Sequence, residues 1–514
     1  MTRENQANQP NGQSQAAGER KLIEDRLAKT VEIRSRGLDP YPPRFNRTHT
    51  SVEAVALFQS LEEGGTESDH SDSHSVRVAG RVMARRGQGK ASFIDVRDGH
   101  GSIQIFARQN TMGDESYAIL DLLDIGDIIG IEGVVIRTRR GEISVEAKTI
   151  TLLTKAIRPL PDKWHGLQDQ EVRFRQRYLD LISNEKAMQN ALLRTKIVRS
   201  MRDFMHARGF IEVETPILVP VAAGAQATPF ATHHNQLNRD LYLRIATELY
   251  LKKLIVGGIE RVFEIGRLFR NEGLDHDHNP EFTTIESYQA YADYNDVMCM
   301  VEEMIAQIAQ DTTGSMILPA ISEKRPEINL TPPWPRLDLR SEITKRTGID
   351  FVETRDIESL SKAMQECGIH VEPGSDWGRL LDKVISSEVE PNLIQPHFLV
   401  DYPVEMSPLA KRKPGSSDIV ERFEAFVMGT ELANAFTELN DPVDQRERFE
   451  QQERLREEFD NDEADRLDED FLIAIEHGMP PTGGLGLGID RLTMLVAGEE
   501  SIREILLFPA MRNI

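Results

Sequence analysis

Hydrophobic positions recur with two periods along this chain, and each change of period marks a new part. From Arg20 to Arg36, the apolar residues Leu22, Ile23, Leu27, Val31 and Ile33 fall at helical spacing. Gly37 and the Asp39-Pro40-Tyr41-Pro42-Pro43 run predict the end of that helix. A short helix is expected at Val52–Leu61, followed by an acidic, Ser/Gly-rich linker from Glu62 to Ser75. Between residues 76 and 154 the period drops to two. Strands are predicted at Val76–Arg86, Ala91–Arg97, Ser102–Arg108, Asp127–Arg137 and Glu142–Leu153. Asp98-Gly99-His100-Gly101 supplies a hairpin turn, and a short helix near Asp114–Leu123 separates the third and fourth strands.

Five strands with a helix after the third form the OB pattern, a small barrel whose exposed sheet binds single-stranded nucleic acid or sugars. Ile94, Val96, Ile103 and Ile105 are expected to point inward, which leaves Phe93, Gln104, Phe106 and Arg108 outward. Strict alternation puts Arg77, Arg81 and Arg85 on one face of the first strand. Seven Lys/Arg and two Asp lie between Arg77 and Arg108. Aromatic rings that stack bases, beside arginines for phosphates, suit an unpaired RNA loop. The competing reading has Phe93 or Phe106 capping a hydrophobic end of the barrel.

The helical period returns after a charged connector at residues 156–185. A long helix is predicted from Lys186 to Arg208, with Met188, Ala191, Leu192, Thr195, Val198, Met201 and Met205 as its buried stripe. Gly209 ends it, and Ile211 to Pro216 reads as an edge strand, either plain core or a dimer seam. A short strand at Leu241–Arg244 precedes a helix at Glu248–Val256, with Thr247 as N-cap. Arg261–Phe269 and Glu281–Tyr291 then read as two strands joined by a long polar loop. Glu264, Gly266, Leu268, Arg270 and Glu272 share one face; so do Phe282, Thr284, Glu286, Tyr288 and Ala290. Charges of both signs among apolar neighbours need partners, and a ligand carrying both signs would supply them. Further helices are expected at residues 295–312 and around Ser341–Thr347, Ile357–Cys367 and Trp377–Val389.

Two later stretches carry chemistry. In Val420–Asn440, a two-residue turn at Met428-Gly429 would set Phe426 against Glu431 and make Glu424 and Glu431 diagonal neighbours. Such a pair repels itself unless a cation sits between them, and oxygen ligands suit Mg²⁺; the alternative is a solvated strand. Asn434, Phe436 and Glu438 alternate onto the face opposite Glu431, so one cavity can hold both sets only with a bulge or strong twist. In Gly483–Ala497, alternating glycines in a strand make sense where a ligand approaches the backbone closely. Arg491 then opens an apolar helix, and its flat guanidinium can stack on a ring.

Composition narrows the classes. The chain has 514 residues, room for more than one domain, and a formal charge of −23, which argues against indiscriminate binding of nucleic acid or anionic membranes. Cys299 and Cys367 match no metal spacing, as expected in a reducing compartment. No apolar run is long enough for a transmembrane helix. Residues 1–20 are expected to be a disordered tail, residues 21–75 N-terminal helices and linker, 76–155 the barrel, and 186–514 one large α+β domain. The run Asp441–Asp470, with 14 acids and five arginines, reads mostly as a solvated helical face.

These strings together resemble the class II aminoacyl-tRNA synthetases. Arg270-Asn271-Glu272 with Glu281-Phe282 looks like their motif 2, Gly486-Leu487-Gly488-Ile489-Asp490-Arg491 like motif 3, and Gly209 with Glu212 to Pro216 like motif 1. FRNEG, YPVEMSPLAK, ELANAFTELNDP and HGMPPTGGLGLGIDRL are similar to bacterial lysyl-tRNA synthetases. The resemblance implies an OB-fold anticodon-binding domain before a catalytic domain built on an antiparallel sheet flanked by helices. It implies a cytoplasmic homodimer, paired through motif 1, that uses ATP, L-lysine and tRNA(Lys), with two or three Mg²⁺ ions accompanying ATP.

Carried over residue by residue, the resemblance makes Arg270, Glu272 and Arg491 catalytic. Glu272, His278, Asn279, Phe282, Gly488 and Arg491 would bind ATP with Arg270, with Phe282 and Arg491 sandwiching the adenine. Glu424 and Glu431 would hold Mg²⁺. Gly224 and Glu248 would take the α-ammonium of lysine, Arg270 its carboxylate, and Glu286, Tyr288, Asn434, Phe436 and Glu438 its side chain. Either Glu438 or Glu286 would partner the ε-ammonium. Phe93, Gln104 and Glu142 match the anticodon-reading positions. Asp275 and Asp277 make the motif 2 loop more acidic than in relatives with a basic residue there, and Thr228 stands where some relatives have arginine.

The residues themselves also discriminate. An aspartate site must offer cations to the substrate side chain, whereas Glu248, Glu286 and Glu438 are all acids and suit a substrate with two ammonium groups. A non-catalytic RNA-binding paralogue would have lost Arg270, Glu272, Glu431 or Arg491, and all four are present. An enzyme that lysylates protein would lack the barrel.

Overall fold

Alternating hydrophobicity from residue 75 to 154 closes into a five-stranded barrel, and the longer-period sequence after it builds helices around one large sheet. The computed structural model describes residues 11–64, 75–87, 89–161, 167, 169–225, 227–459 and 467–512. The chain divides into two compact units, residues 1–166 and 167–514.

In the first unit, helix α1 (Asn11–Ser35) begins well before Arg20, so the expected tail is helical from Asn11; residues 1–10 lie outside the described residues. Of its apolar stripe only Ile33 is buried. Leu22, Leu27 and Val31 are exposed, whereas Arg26, Thr30 and Ile33 are buried. The helix docks through polar groups: the Arg26 guanidinium donates to the carbonyls of Ile125, Ala156 and Arg158. Helix α2 (Ser51–Glu63) starts in a Thr50/Glu53 capping box. Most of the predicted linker, residues 65–74, lies outside the described residues.

The barrel runs in the order β1 (Ser75–Arg86), β2 (Ala91–Arg97), β3 (Ser102–Arg108), β5 (Ile143–Thr154), β4 (Ile128–Arg137). Ile94, Val96, Ile103 and Ile105 fill its core as expected. Arg85 departs from the expected arginine face. A bulge between Val82 and Ala84 pairs Arg81 with Arg97 but Arg85 with the inward residue Ile94. One extra residue flips every later side chain to the other face, and Arg85 donates to the Leu120 carbonyl instead.

The second unit is organised on an eight-stranded, mostly antiparallel sheet. Its elements in chain order are α3 (Glu185–Ala207), β6 (Ile211–Glu212), α4 (Glu248–Val256), β7 (Arg261–Phe269), β8 (Glu281–Ala290), α5 (Tyr294–Thr313), β9 (Arg336–Asp338), β10 (His397–Val400), β11 (Arg422–Val427), β12 (Thr430–Thr437), β13 (Thr482–Gly488) and α6 (Ile489–Ala497). The strand order is β9-β10-β11-β12-β13-β8-β7-β6. Helices α3, α5 and α6 pack on one face over the largest core cluster, which includes Met201, Phe263, Met304, Phe423 and Leu487.

The predicted stripe of α3 is shifted. Ala187, Asn190, Ile197, Ser200, Met201, Phe204 and Met205 are buried, while Leu192 and Thr195 are exposed. Two polar residues belong to the buried side because they are satisfied there. Asn190 donates to Glu499 at 2.8 Å and Ser200 to Asp311 at 2.7 Å. The acidic run is less peripheral than its charge suggests. Its helix Pro442–Phe459 buries Gln445, Arg448, Phe449 and Gln452, whereas residues 460–466 lie outside the described residues. Among the described residues, no helix is long and apolar enough to cross a membrane.

Candidate active site

The face of the sheet away from α5 opens into a cavity of about 510 Å³. Every residue assigned above to ATP, lysine or metal lines it, from Gly224 and Glu248 to Gly488 and Arg491. Strand pairing explains the convergence. On β7 and β8, Glu264 opposes Glu286, Gly266 opposes Thr284, and Leu268 opposes Phe282, so the two predicted faces are one face. On β11 and β12, Phe426 opposes Glu431 while Ala425 opposes Ala433, with Leu432 as the extra residue of a bulge. Leu432 and Ala433 both enter the core. Asn434 therefore pairs with Glu424, and Asn434, Phe436 and Glu438 join both carboxylates in one cavity. The sequence left a bulge or a strong twist as the ways to join these sets, and the bulge falls at Leu432.

At one end, Arg270 lies over the Phe282 ring, 5.2 Å from its centroid. Its buried Nε has no hydrogen-bond partner among the described residues. His278 is held by Asp275, whose carboxylate accepts from His278 Nδ1 at 2.9 Å and from the backbone amides of Asp277 and His278. Those bonds hold the Asp275 carboxyl below its usual range, although partial burial works against them. The acidic loop tip is thus a local clamp on His278. The other ring nitrogen lies 3.4 Å from Arg491, whose guanidinium also donates to the Glu431 carbonyl at 2.9 Å and carboxylate at 3.1 Å. Asn279 donates to the Glu281 carbonyl and accepts from the Ala510 amide.

Glu424 is half-buried between Tyr402, which donates to it at 2.7 Å, and Arg422, which donates at 2.6 Å. Burial pushes its carboxyl up to about 7; Arg422 opposes this, and the nearby Glu431 charge adds to it. Half-buried Glu390 is pushed up to about 8 by burial and by Glu424, Asp382 and Glu431. Arg422 offsets Glu424 and Arg491 offsets Glu431; the repulsion that Glu424 and Glu431 still exert on Glu390 is what a divalent cation would relieve. Among the described residues, no three or more His, Cys, Asp or Glu side chains are grouped to hold a metal. Two carboxylates fit a Mg²⁺ whose remaining ligands come with a phosphorylated substrate.

At the other end, three carboxylates converge. Glu286 accepts from the Thr247 amide at 3.1 Å, and burial pushes its carboxyl up to about 7. Thr247 therefore serves through its backbone. Its hydroxyl makes no capping bond, contrary to expectation: Thr247 has helical dihedrals, where a capping side chain needs extended ones. Burial and the charges of Glu248, Glu286 and Glu438 hold the Tyr288 phenol well above its usual range. Glu248 and Glu438 share a partner that sequence reading missed: Lys252 is fully buried and forms ion pairs with both. Its i+4 spacing from Glu248 on one helix was the available signal. Arg422 was missed as well; besides Glu424 it holds Asn434, donating to Oδ1 at 3.1 Å.

The glycine run divides by role. A Cβ on Gly484 would lie 1.7 Å from Glu438, so that glycine makes room for the chain's own carboxylate. Gly486 and Gly488 would meet nothing closer than 3.8 and 3.7 Å, which leaves their backbone open to a ligand.

On the barrel, Phe93 and Phe106 stack face to face with centroids 4.6 Å apart, and Arg108 lies over Phe106. Gln104 sits on the same outer surface yet is only 8% exposed. It donates to Glu142 at 3.1 Å and accepts from Ser144, so two of the anticodon candidates are already linked.

Known proteins match this arrangement along nearly the whole chain. The family model described as tRNA synthetases class II (D, K and N) matches residues 169–512, and the OB-fold nucleic acid binding domain matches 76–153. A lysine–tRNA ligase of Dehalococcoides mccartyi is 51% identical over 96% of this chain and 97% of its own length. One from Carboxydothermus hydrogenoformans is 50% identical over 96% and 98%. One from Staphylococcus epidermidis is 49% identical over 95% and 98%. With the family model matched over residues 169–512 and relatives about half identical along nearly their whole length, the chain belongs to the class II tRNA synthetases, among the lysine–tRNA ligases.

Proposed function

We propose that this chain catalyses the two-step lysine–tRNA ligase reaction with the following division of labour. Arg270 bridges the lysine carboxylate and the α-phosphate of ATP. The carboxylate oxygen attacks the α-phosphorus and pyrophosphate leaves, giving lysyl-adenylate. A hydroxyl of the tRNA's 3′-terminal adenosine then attacks the lysyl carbonyl and AMP departs. The unpartnered Arg270 Nε supports this role, since a buried donor without an acceptor is costly unless a ligand satisfies it. Both steps gain mainly from positioning and charge stabilisation.

Phe282 and Arg491 enclose the adenine, while Glu272, His278, Asn279 and the Gly488 backbone complete the nucleotide site. Glu424 and Glu431 would hold Mg²⁺ arriving with ATP, in the two or three ions typical of the family, which would supply positive charge against the phosphates. Gly224 and Glu248 receive the α-ammonium; Glu286, Tyr288, Asn434, Phe436 and Glu438 enclose the side chain. Lys252 pairs with one Glu438 oxygen, Oε2, and leaves Oε1 buried without a hydrogen bond among the described residues, which favours Glu438 over Glu286 as the ε-ammonium's acceptor. Phe93, Gln104 and Glu142 read the anticodon. Pairing of two copies through the α3 and β6 region, and a cytoplasmic setting, complete the reading; both cysteines are free.

The observation that carries the substrate assignment is the convergence of Glu248, Glu286 and Glu438 at one end of the cavity. Amino-acid-dependent pyrophosphate exchange across the twenty amino acids tests it. Exchange with lysine alone is expected; exchange with aspartate and none with lysine overturns the assignment.

A further inference from the structure

A fully buried lysine is an unusual neighbour for a site that must attract ammonium groups. Lys252 sits one helical turn after Glu248 on α4, with no side-chain exposure. Its Nζ donates to Glu248 at 2.5 Å and pairs with Glu438 at the end of the hairpin. Tyr288, Phe436 and Phe471 surround it, with ring centroids 5.9, 5.6 and 5.9 Å away. The titratable groups facing it are Glu248 from its own helix and Glu438 from the hairpin; on β8, Glu286 raises Glu438 in turn, and the three acids raise the Tyr288 phenol. Glu264, on β7, is paired with Arg244 at 2.5 Å.

The charge balance gives this lysine a purpose. Glu248, Glu286 and Glu438 place three carboxyl groups around the pocket, one more than the two ammonium groups of lysine can match. We propose that Lys252 is a specificity-determining positioning residue: it takes up one carboxylate charge and pins Glu248 and Glu438 in the arrangement that receives the two ammonium groups of the substrate. This deepens the lysine reading and rests on it. Burial opposes the charged form of Lys252, yet Glu248 and Glu438 outweigh it and raise its pKa. Burial beside Glu248 and Glu286 pushes Glu438 up, and Lys252 restrains that rise. Removing the cation leaves Glu438 protonated to higher pH, so the pocket loses charge where it needs it.

The experiment compares wild-type, Lys252→Met and Lys252→Arg full-length enzymes by pyrophosphate exchange, varying lysine, ATP and pH. Lysine-dependent exchange by the wild type comes first; its absence refutes the substrate reading rather than the role of Lys252. Lys252→Met is then expected to raise the lysine KM about tenfold or more with the ATP KM nearly unchanged, and to move the acid limb of kcat/KM for lysine to higher pH. Lys252→Arg keeps the charge and should keep the acid limb in place whatever it costs in packing, which retains a test if the methionine variant does not fold. An unchanged lysine KM in Lys252→Met, equal rises in the lysine and ATP KM, or an acid limb displaced in Lys252→Arg would overturn the proposal.

Discussion

Gly484 and Glu438 occupy one space: a Cβ on the glycine would stand 1.7 Å from the Glu438 carboxylate and 2.7 Å from the Tyr288 ring. The strand can carry Glu438 into the lysine end of the cavity only because this position has no side chain. Gly484→Ala should therefore displace Glu438 more than it unfolds the sheet. The expected cost is about 1–3 kcal/mol of stability, with a much larger relative rise in the lysine KM than in the ATP KM. Steady-state exchange kinetics beside a urea melt separate the two. Equal effects on both substrates would mean that Glu438 does not contact lysine.

Glu286 makes a stability prediction whose sign runs against the usual carboxylate. Burial raises its folded pKa from 4.5 to about 7, so the folded state holds the proton more tightly than the unfolded chain. Its contribution is fully favourable below about 4.5, is lost as pH rises through about 7, and stays lost above that. The shift corresponds to about 3 kcal/mol at most. Glu286→Gln keeps an oxygen for the Thr247 amide and removes the charge. It should stabilise the protein at pH 8 by about 1–3 kcal/mol, change little at pH 4.5, and weaken lysine binding. Denaturant melts at the two pH values check this; a mutant-minus-wild-type difference that does not vary with pH would refute it.

Much of this was legible because periodicity and local chemistry agreed. Strands β2 and β3 have the predicted bounds, and Phe426 faces Glu431 as the Met428-Gly429 turn implied. What escaped the sequence was each place where one residue resets a register or a polar group earns burial. The bulge before Ala84 turned Arg85 over, and the extra Leu432 merged two faces that alternation kept apart. Asn190, Ser200 and Arg26 are buried because partners distant in sequence satisfy them. Lys252 was hidden for the same reason, since one of its two carboxylates comes from a different hairpin.

The barrel separates two functions that share one chain. Phe93 stacks on Phe106 at 4.6 Å on the outer surface, beside the linked Gln104 and Glu142. Phe93→Ala removes a stacking platform worth about 1–3 kcal/mol per base and leaves the catalytic unit's residues untouched. tRNA charging should fall by roughly tenfold or more in kcat/KM for tRNA, while lysine-dependent pyrophosphate exchange stays at the wild-type level. If exchange and charging fall together, the phenylalanine serves the barrel's stability instead.

Asp490 ties three elements together behind the nucleotide end. It is 2% exposed, and it accepts from Arg194 of α3 at 2.7 Å and from the Thr283 amide of β8 at 2.9 Å. Arg194 also donates to the Thr283 hydroxyl at 3.0 Å. Asp490 immediately precedes Arg491, and Thr283 immediately follows Phe282, so this cluster sets the spacing of the two residues assigned to adenine. Breaking a buried ion pair by removing one partner costs about 3–5 kcal/mol; the partial exposure of Arg194 lowers the expectation to about 1–3 kcal/mol. Arg194→Met and Asp490→Asn should each raise the ATP KM more than the lysine KM. The double variant should cost less than the two single effects combined, because both remove one interaction. A thermodynamic cycle on stability and on ATP KM measures this. Strict additivity would show that α3 does not set the position of Arg491, and that the helix expected at a dimer seam has no hold on the nucleotide site.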